Sequence, residues 1–163
     1  MAAIQRAYRL LIAAASSLQS PFLLLIRLAW GYQMHIAGDG KLHDVGKVAG
    51  FFTQLRIPFP AASAVFIAVL EFAGGLLFAL GLGSRPIALL FFADMVVAYI
   101  AADREALAAI FSDPHKFYAA TPYTFLVAAL IVLIFGPGKY SLDALLTKRF
   151  AGDASSPKAS SRA

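Results

Sequence analysis

Residues 61–82 read AASAVFIAVLEFAGGLLFALGL, and apart from Ser63 and Glu71 no side chain among them is polar. As a helix rising ~1.5 Å per residue this stretch spans roughly 33 Å, against a hydrocarbon core of about 30 Å. It therefore reads as a membrane crossing, with Glu71 near the midplane. An unpaired charge there costs about 2.5–3.5 kcal/mol on insertion scales. Glu71 needs an opposite charge, a proton or a water-filled cavity, and whatever surrounds this crossing has to supply one of them.

The rest of the chain agrees with a membrane setting. Of 163 residues, 60% are hydrophobic and 14% charged, with a mean hydropathy of +0.74. A soluble domain carries about 25% charged residues. The net charge of +5 would raise nucleic acid as a partner in a soluble protein. Here the basic residues flank apolar segments, so lipid headgroups and topology account for them, and no nucleic-acid motif is present. The chain has no cysteine, which excludes disulfide chemistry, thiolate metal sites and a dithiol relay.

Taken in order, residues 1–20 place Ile4, Tyr8, Leu11, Ile12, Ala15 and Leu18 on a helical stripe beside Arg6 and Arg9. The apolar run is short for a signal peptide, and an amphipathic helix on the membrane surface is the expectation. Pro21 is expected to open the first crossing, residues 22–37, which ends in Gly38-Asp39-Gly40. Arg27, Trp30, Gly31 and Met34 share one face of it. Residues 41–60 hold Val45, Val48, Phe52 and Leu55 at helical spacing before Ile57-Pro58-Phe59-Pro60, which predicts a short interfacial helix.

In the second crossing, Ala64, Ala68, Glu71, Gly74, Gly75 and Phe78 lie on or near one face, where small residues allow close helix approach. Gly83-Ser84-Arg85 is a tight hairpin, and Pro86 opens a third crossing to about residue 102 that contains Asp94. Residues 103–121 are polar and mixed, with a short helix at 104–111. Pro122 opens a fourth crossing, 123–135, which carries no buried charge and reads as mainly lipid-facing. Ser141-Leu142-Asp143 starts a short amphipathic helix ending near Phe150, followed by a small, polar tail. The fold class is thus an all-α transmembrane four-helix bundle with flanking interfacial helices. It divides into an amphipathic segment on the cytoplasmic surface (1–20), the bundle (21–146), and a short helix end with a tail expected to be disordered (147–163).

Four crossings put both termini on one side. That side carries Arg6, Arg9, Arg85, Lys139, Lys148, Arg149, Lys158 and Arg162; the other carries Lys41, Lys47, Arg56, Arg104 and Lys116. The positive-inside rule then places both termini in the cytoplasm.

Counting rise per residue, Arg27 lies about 8–9 Å in from the terminal side, Asp94 about 12 Å and Glu71 about 16 Å. An arginine reaches several ångströms along its helix, so all three are expected in one polar layer, with Arg27 the bidentate partner of a carboxylate. Two acids against one arginine leave one acid protonated or hydrated. This layer reads either as an ionic staple that fixes helix register or, with Trp30 beside it, as a proton-handling or quinone head-group site. Misplacement of one helix by a turn would dissolve it.

His35, His43 and His115 fall on the loop side near Asp39, Asp44 and Asp113, but their spacing matches no short metal motif, so no metal is assigned. His35 is expected to cap the first crossing beside Lys41, as outer-side polar groups.

These residues together resemble the DoxX family of small four-helix membrane proteins over roughly residues 22–146. The resemblance rests on Arg27, Gly38-Asp39-Gly40-Lys41-Leu42, Arg56-Ile57-Pro58-Phe59-Pro60, Glu71-Phe72-Ala73-Gly74-Gly75, Gly81-Leu82-Gly83-Ser84-Arg85 and Gly136-Pro137-Gly138-Lys139-Tyr140-Ser141-Leu142-Asp143, in that order and spacing. It implies a bacterial-type inner-membrane protein. Some relatives are subunits of quinone-reducing systems acting on thiosulfate or of terminal quinol oxidases; others are membrane anchors in oxidative-stress complexes. Arg27, Lys41 and Glu71 match polar positions of the pattern, which brings no catalytic assignment with them.

Three functional expectations follow: a subunit supporting quinone-linked redox chemistry through the polar layer, a non-enzymatic scaffold whose outer loops dock a partner protein, and a small-solute or proton carrier. The last is disfavoured by the lack of broken helices and repeats. No cofactor is assigned; a quinone fits the first of these readings. Membrane lipids, a redox or scaffold partner, and a second copy of the chain are the partner classes.

Overall fold

A computed structural model describes residues 2–154, and all regular structure among them is α-helical. The expected tail, residues 155–163, lies outside the described residues. Helix α1 spans Ala2–His43, α2 Val45–Gln54, α3 Pro60–Leu80 and α4 Ser84–Ala101. Two short helices follow, α5 Arg104–Ala108 and α6 Pro114–Ala119, then α7 Pro122–Phe135 and α8 Leu142–Ala154. Among the described residues α1, α3 and α4 are long and apolar enough to cross a membrane; α7 is a shorter apolar helix of 14 residues. The protein is therefore a multi-pass membrane bundle.

Helix α1 departs from expectation at both ends. It runs for 42 residues without a break, about 63 Å, roughly twice the hydrocarbon thickness. Pro21 lies inside it rather than opening a crossing; it removes one backbone hydrogen bond. Gly38-Asp39-Gly40 does not stop it either. Gly31 and Gly38 instead let α1 lie almost backbone to backbone against α3. A Cβ on Gly31 would stand 2.7 Å from the Gly75 oxygen and 2.8 Å from the Ala79 nitrogen, and one on Gly38 would strike the backbone of Glu71 and Phe72. This is small-residue packing of the kind that brings membrane helices together.

The faces read from the sequence are the buried ones. Arg27, Gly31 and Met34 on α1 and Ala64, Ala68, Glu71, Gly74, Gly75 and Phe78 on α3 are buried. The apolar core continues through Phe78 against Phe91 of α4, whose ring centroids are 5.5 Å apart. It ends on α7, where Ala128, Ala129 and Val132 are buried against the core. Helix α7 thus closes the bundle beside α4 and is not the mainly lipid-facing helix expected.

Helix α2 is the predicted interfacial helix. Asp44 caps it by accepting from the Lys47 N–H at 3.0 Å, and it leans on the first half of α3 without a buried residue of its own. On the same side, the Tyr99 hydroxyl donates to the Phe117 carbonyl at 2.7 Å, and the two rings stack, which fastens α6 over the end of α4.

Candidate functional site

The expected pairing of Arg27 with Glu71 does not form. Arg27 sits where α3 ends, fully buried, and its guanidinium donates to the Ala79 carbonyl at 3.0 Å and to the Tyr140 carbonyl. Glu71 lies eight residues earlier on α3, about 12 Å along the axis. The reason is register. Because α1 continues past residue 40, it slides so that Arg27 is level with the C-terminal carbonyls of α3. A cation is favoured at a helix C-terminus in any case.

Around Arg27 the two family-like glycine motifs meet. Gly81 ends α3 at φ 72°, and a side chain there would strike the guanidinium and Ser141. The Asp143 carboxylate accepts the N–H groups of Gly83 (2.8 Å) and Ser84 (2.9 Å), capping α4 from a distant segment. The Asp143 N–H returns a bond to the Gly81 carbonyl at 2.9 Å. Burial alone would push the Asp143 carboxyl up; the bonds from Ser84 and Gly83 and the charge of Arg27 outweigh it and hold it below the usual carboxylate range. The sequence marked Asp143 only as a helix-start residue; its long-range role had no local signal. This knot joins α1, α3, α4 and the start of α8, and its groups are turned to one another.

Glu71 finds its cation in Lys41, from the last turn of α1. The glutamate side chain is 6% exposed and the lysine 30%, so the ammonium reaches inward from the loop side. Asp94 of α4 joins the same place, with Oδ2 buried and without a hydrogen-bond partner. The three groups line a cavity of about 380 Å³ between α2, α3 and α4, walled otherwise by apolar side chains including Phe52, Leu70 and Met95. Such a volume falls within the roughly 300–1,000 Å³ of small-molecule sites. Phe66, Leu90 and Val97 line it and are also exposed on the outer face of the bundle, so the cavity reaches the lipid side.

The polar layer read from the sequence therefore splits. Glu71 and Asp94 stay together and gain Lys41; Arg27 leaves for the terminal side. Trp30 packs against the apolar core instead of lining the cavity. His35 lies within α1 rather than at its end. Its Nδ1 is 2.8 Å from the Phe72 carbonyl, and its ring lies on Phe72 at 4.4 Å, so it locks α1 to α3. Among the described residues no group of three or more His, Cys, Asp or Glu gathers as metal ligands would.

An acidic pair, one ammonium and an apolar wall open to lipid can orient the polar head of a lipid-soluble molecule and exchange a proton with it. Residues 22–104 match the family model described as DoxX, and that segment holds every residue lining this cavity. No curated protein matches the chain, and no solved structure does.

Proposed function

The chain belongs to the DoxX family, and from that premise we propose that it is a membrane subunit supporting quinone-linked redox chemistry, with the cavity at Lys41, Glu71 and Asp94 as the head-group site. The observation that carries this reading is the placement of two carboxylates and an ammonium on the wall of a lipid-facing apolar cavity. A quinone or quinol resides in the bilayer and enters sideways between Phe66 and Val97. Its oxygen atoms meet Asp94 and the Lys41–Glu71 pair, which hold or accept protons there. Redox equivalents come from a partner subunit. The charge bias of the loops supports an inner-membrane setting with both termini cytoplasmic, and labelling of His43→Cys from the outer side alone tests it.

The test of function is quinone binding and turnover in the assembled system with Glu71→Gln and Asp94→Asn. Each substitution is expected to weaken binding and lower turnover at least about tenfold, the worth of a hydrogen bond to a charged group. If both folded variants keep wild-type affinity and turnover, the reading is refuted.

A second reading, a scaffold that docks a partner protein, rests on the loop side. Phe59 and Phe111 stand there 82% and 95% exposed, two large rings that a docked protein could cover. Co-purification of a stoichiometric partner, lost on Phe111→Ser, would favour it.

A further inference from the structure

The cavity between α2, α3 and α4 is rich in acceptors and poor in donors. Lys41 is the one cation among its lining residues, and its ammonium is engaged by Glu71. The Ser63 hydroxyl spends its proton on the Pro58 carbonyl at 2.9 Å and has only lone pairs left to offer. Asp94 Oδ2 has no partner at all. Two carboxylates thus face one ammonium, in a space whose other walls are apolar and include the rings of Phe51, Phe52 and Phe66.

We propose that this cavity binds lipophilic ammonium compounds, with the amine head against Asp94 and Glu71 and the alkyl chain leaving between Phe66, Leu90 and Val97 into the bilayer. A primary ammonium brings three N–H donors to carboxyl oxygens that have only Lys41 to meet, and its positive charge favours ionisation of both acids on binding. The phenylalanine rings suit a cation as well as a hydrocarbon chain, since their faces carry negative potential. The opening toward lipid, marked by exposed Phe66, Leu90 and Val97, admits an amphiphile without passage through water. This ligand class stands independently of the quinone reading: it needs two acidic groups facing a single cation, whereas a quinone needs redox partners.

The test uses the full chain in nanodiscs of zwitterionic lipid and a radiolabelled long-chain primary alkylammonium, corrected for uptake by empty nanodiscs. Saturable binding at one site per chain is expected, about tenfold or more tighter than for the alcohol of the same chain length. The trimethylammonium analogue, which keeps the charge and loses the donors, should fall between the two. Asp94→Asn should remove most of the preference of ammonium over alcohol.

Equal affinity for ammonium and alcohol overturns the proposal, as does uptake no greater than that of empty nanodiscs. An unchanged preference in folded Asp94→Asn also overturns it; should that variant not fold, the wild-type comparison decides alone. Quinone titration of the same nanodiscs separates the two readings. Ammonium binding without quinone binding supports this inference and counts against the proposed function; quinone binding without ammonium preference does the reverse.

Discussion

Replacing Arg27 with methionine keeps most of the buried volume and removes the guanidinium. Two charge-assisted hydrogen bonds disappear, to the Ala79 and Tyr140 carbonyls, each worth about 1.5–3 kcal/mol. Those carbonyls lose their donor, and Asp143 loses the positive charge near it. Against this, a buried charge no longer has to be desolvated, which returns part of the loss. The expected net destabilisation is about 2–4 kcal/mol, read from the midpoint of unfolding in mixed micelles. Arg27→Lys should lie between, because one ammonium cannot serve two carbonyls with the geometry of a planar fork.

A double-mutant cycle locates the interaction. Arg27→Met with Asp143→Asn should show a coupling of about 1 kcal/mol, and Arg27→Met with Glu71→Gln close to none, given about 12 Å of axial separation. A stability of Arg27→Met within about 0.5 kcal/mol of wild type would refute the knot. So would a stronger coupling to Glu71 than to Asp143.

Three further outcomes are expected. Gly31→Leu places side-chain atoms against the Gly75 and Ala79 backbone, which cannot yield, and should cost more than about 2 kcal/mol in the same unfolding assay. Lys41→Met strands Glu71 and should destabilise by about 1–2 kcal/mol, with the loss recovered in Lys41→Met/Glu71→Gln, because the double variant removes both halves of the ion pair. The Asp143 carboxyl is held low in the folded protein, so its contribution is complete above the unfolded value of about 3.9 and is lost as pH falls through the lower folded value. Acid titration of the unfolding midpoint should therefore flatten in Asp143→Asn.

The buried faces of α1 and α3 were legible because small and apolar residues recur at helical spacing, and that periodicity survives any change of register. The partner of Arg27 was not legible. Residue counting assumes that every crossing starts in one plane, whereas α1 overshoots and shifts by several residues. Both of the arginine's acceptors are backbone carbonyls, which every residue possesses and no sequence pattern marks. Gly38 and Gly40 read as a helix stop, yet Gly38 serves close packing against Phe72, and the helix that continues past it brings Lys41 to Glu71. The cavity was half visible: the two acids were placed together, but the cation came from a stretch read as loop.

The knot around Arg27 also bears on how the chain is made. Its acceptors come from residues 79 and 140, and Asp143 completes it, so an arginine of the first crossing waits for an acceptor 113 residues further along the chain. Until the ribosome has released that stretch, the Arg27 guanidinium lacks one of its two carbonyl acceptors. Premature termination before Tyr140 would leave that acceptor missing for good.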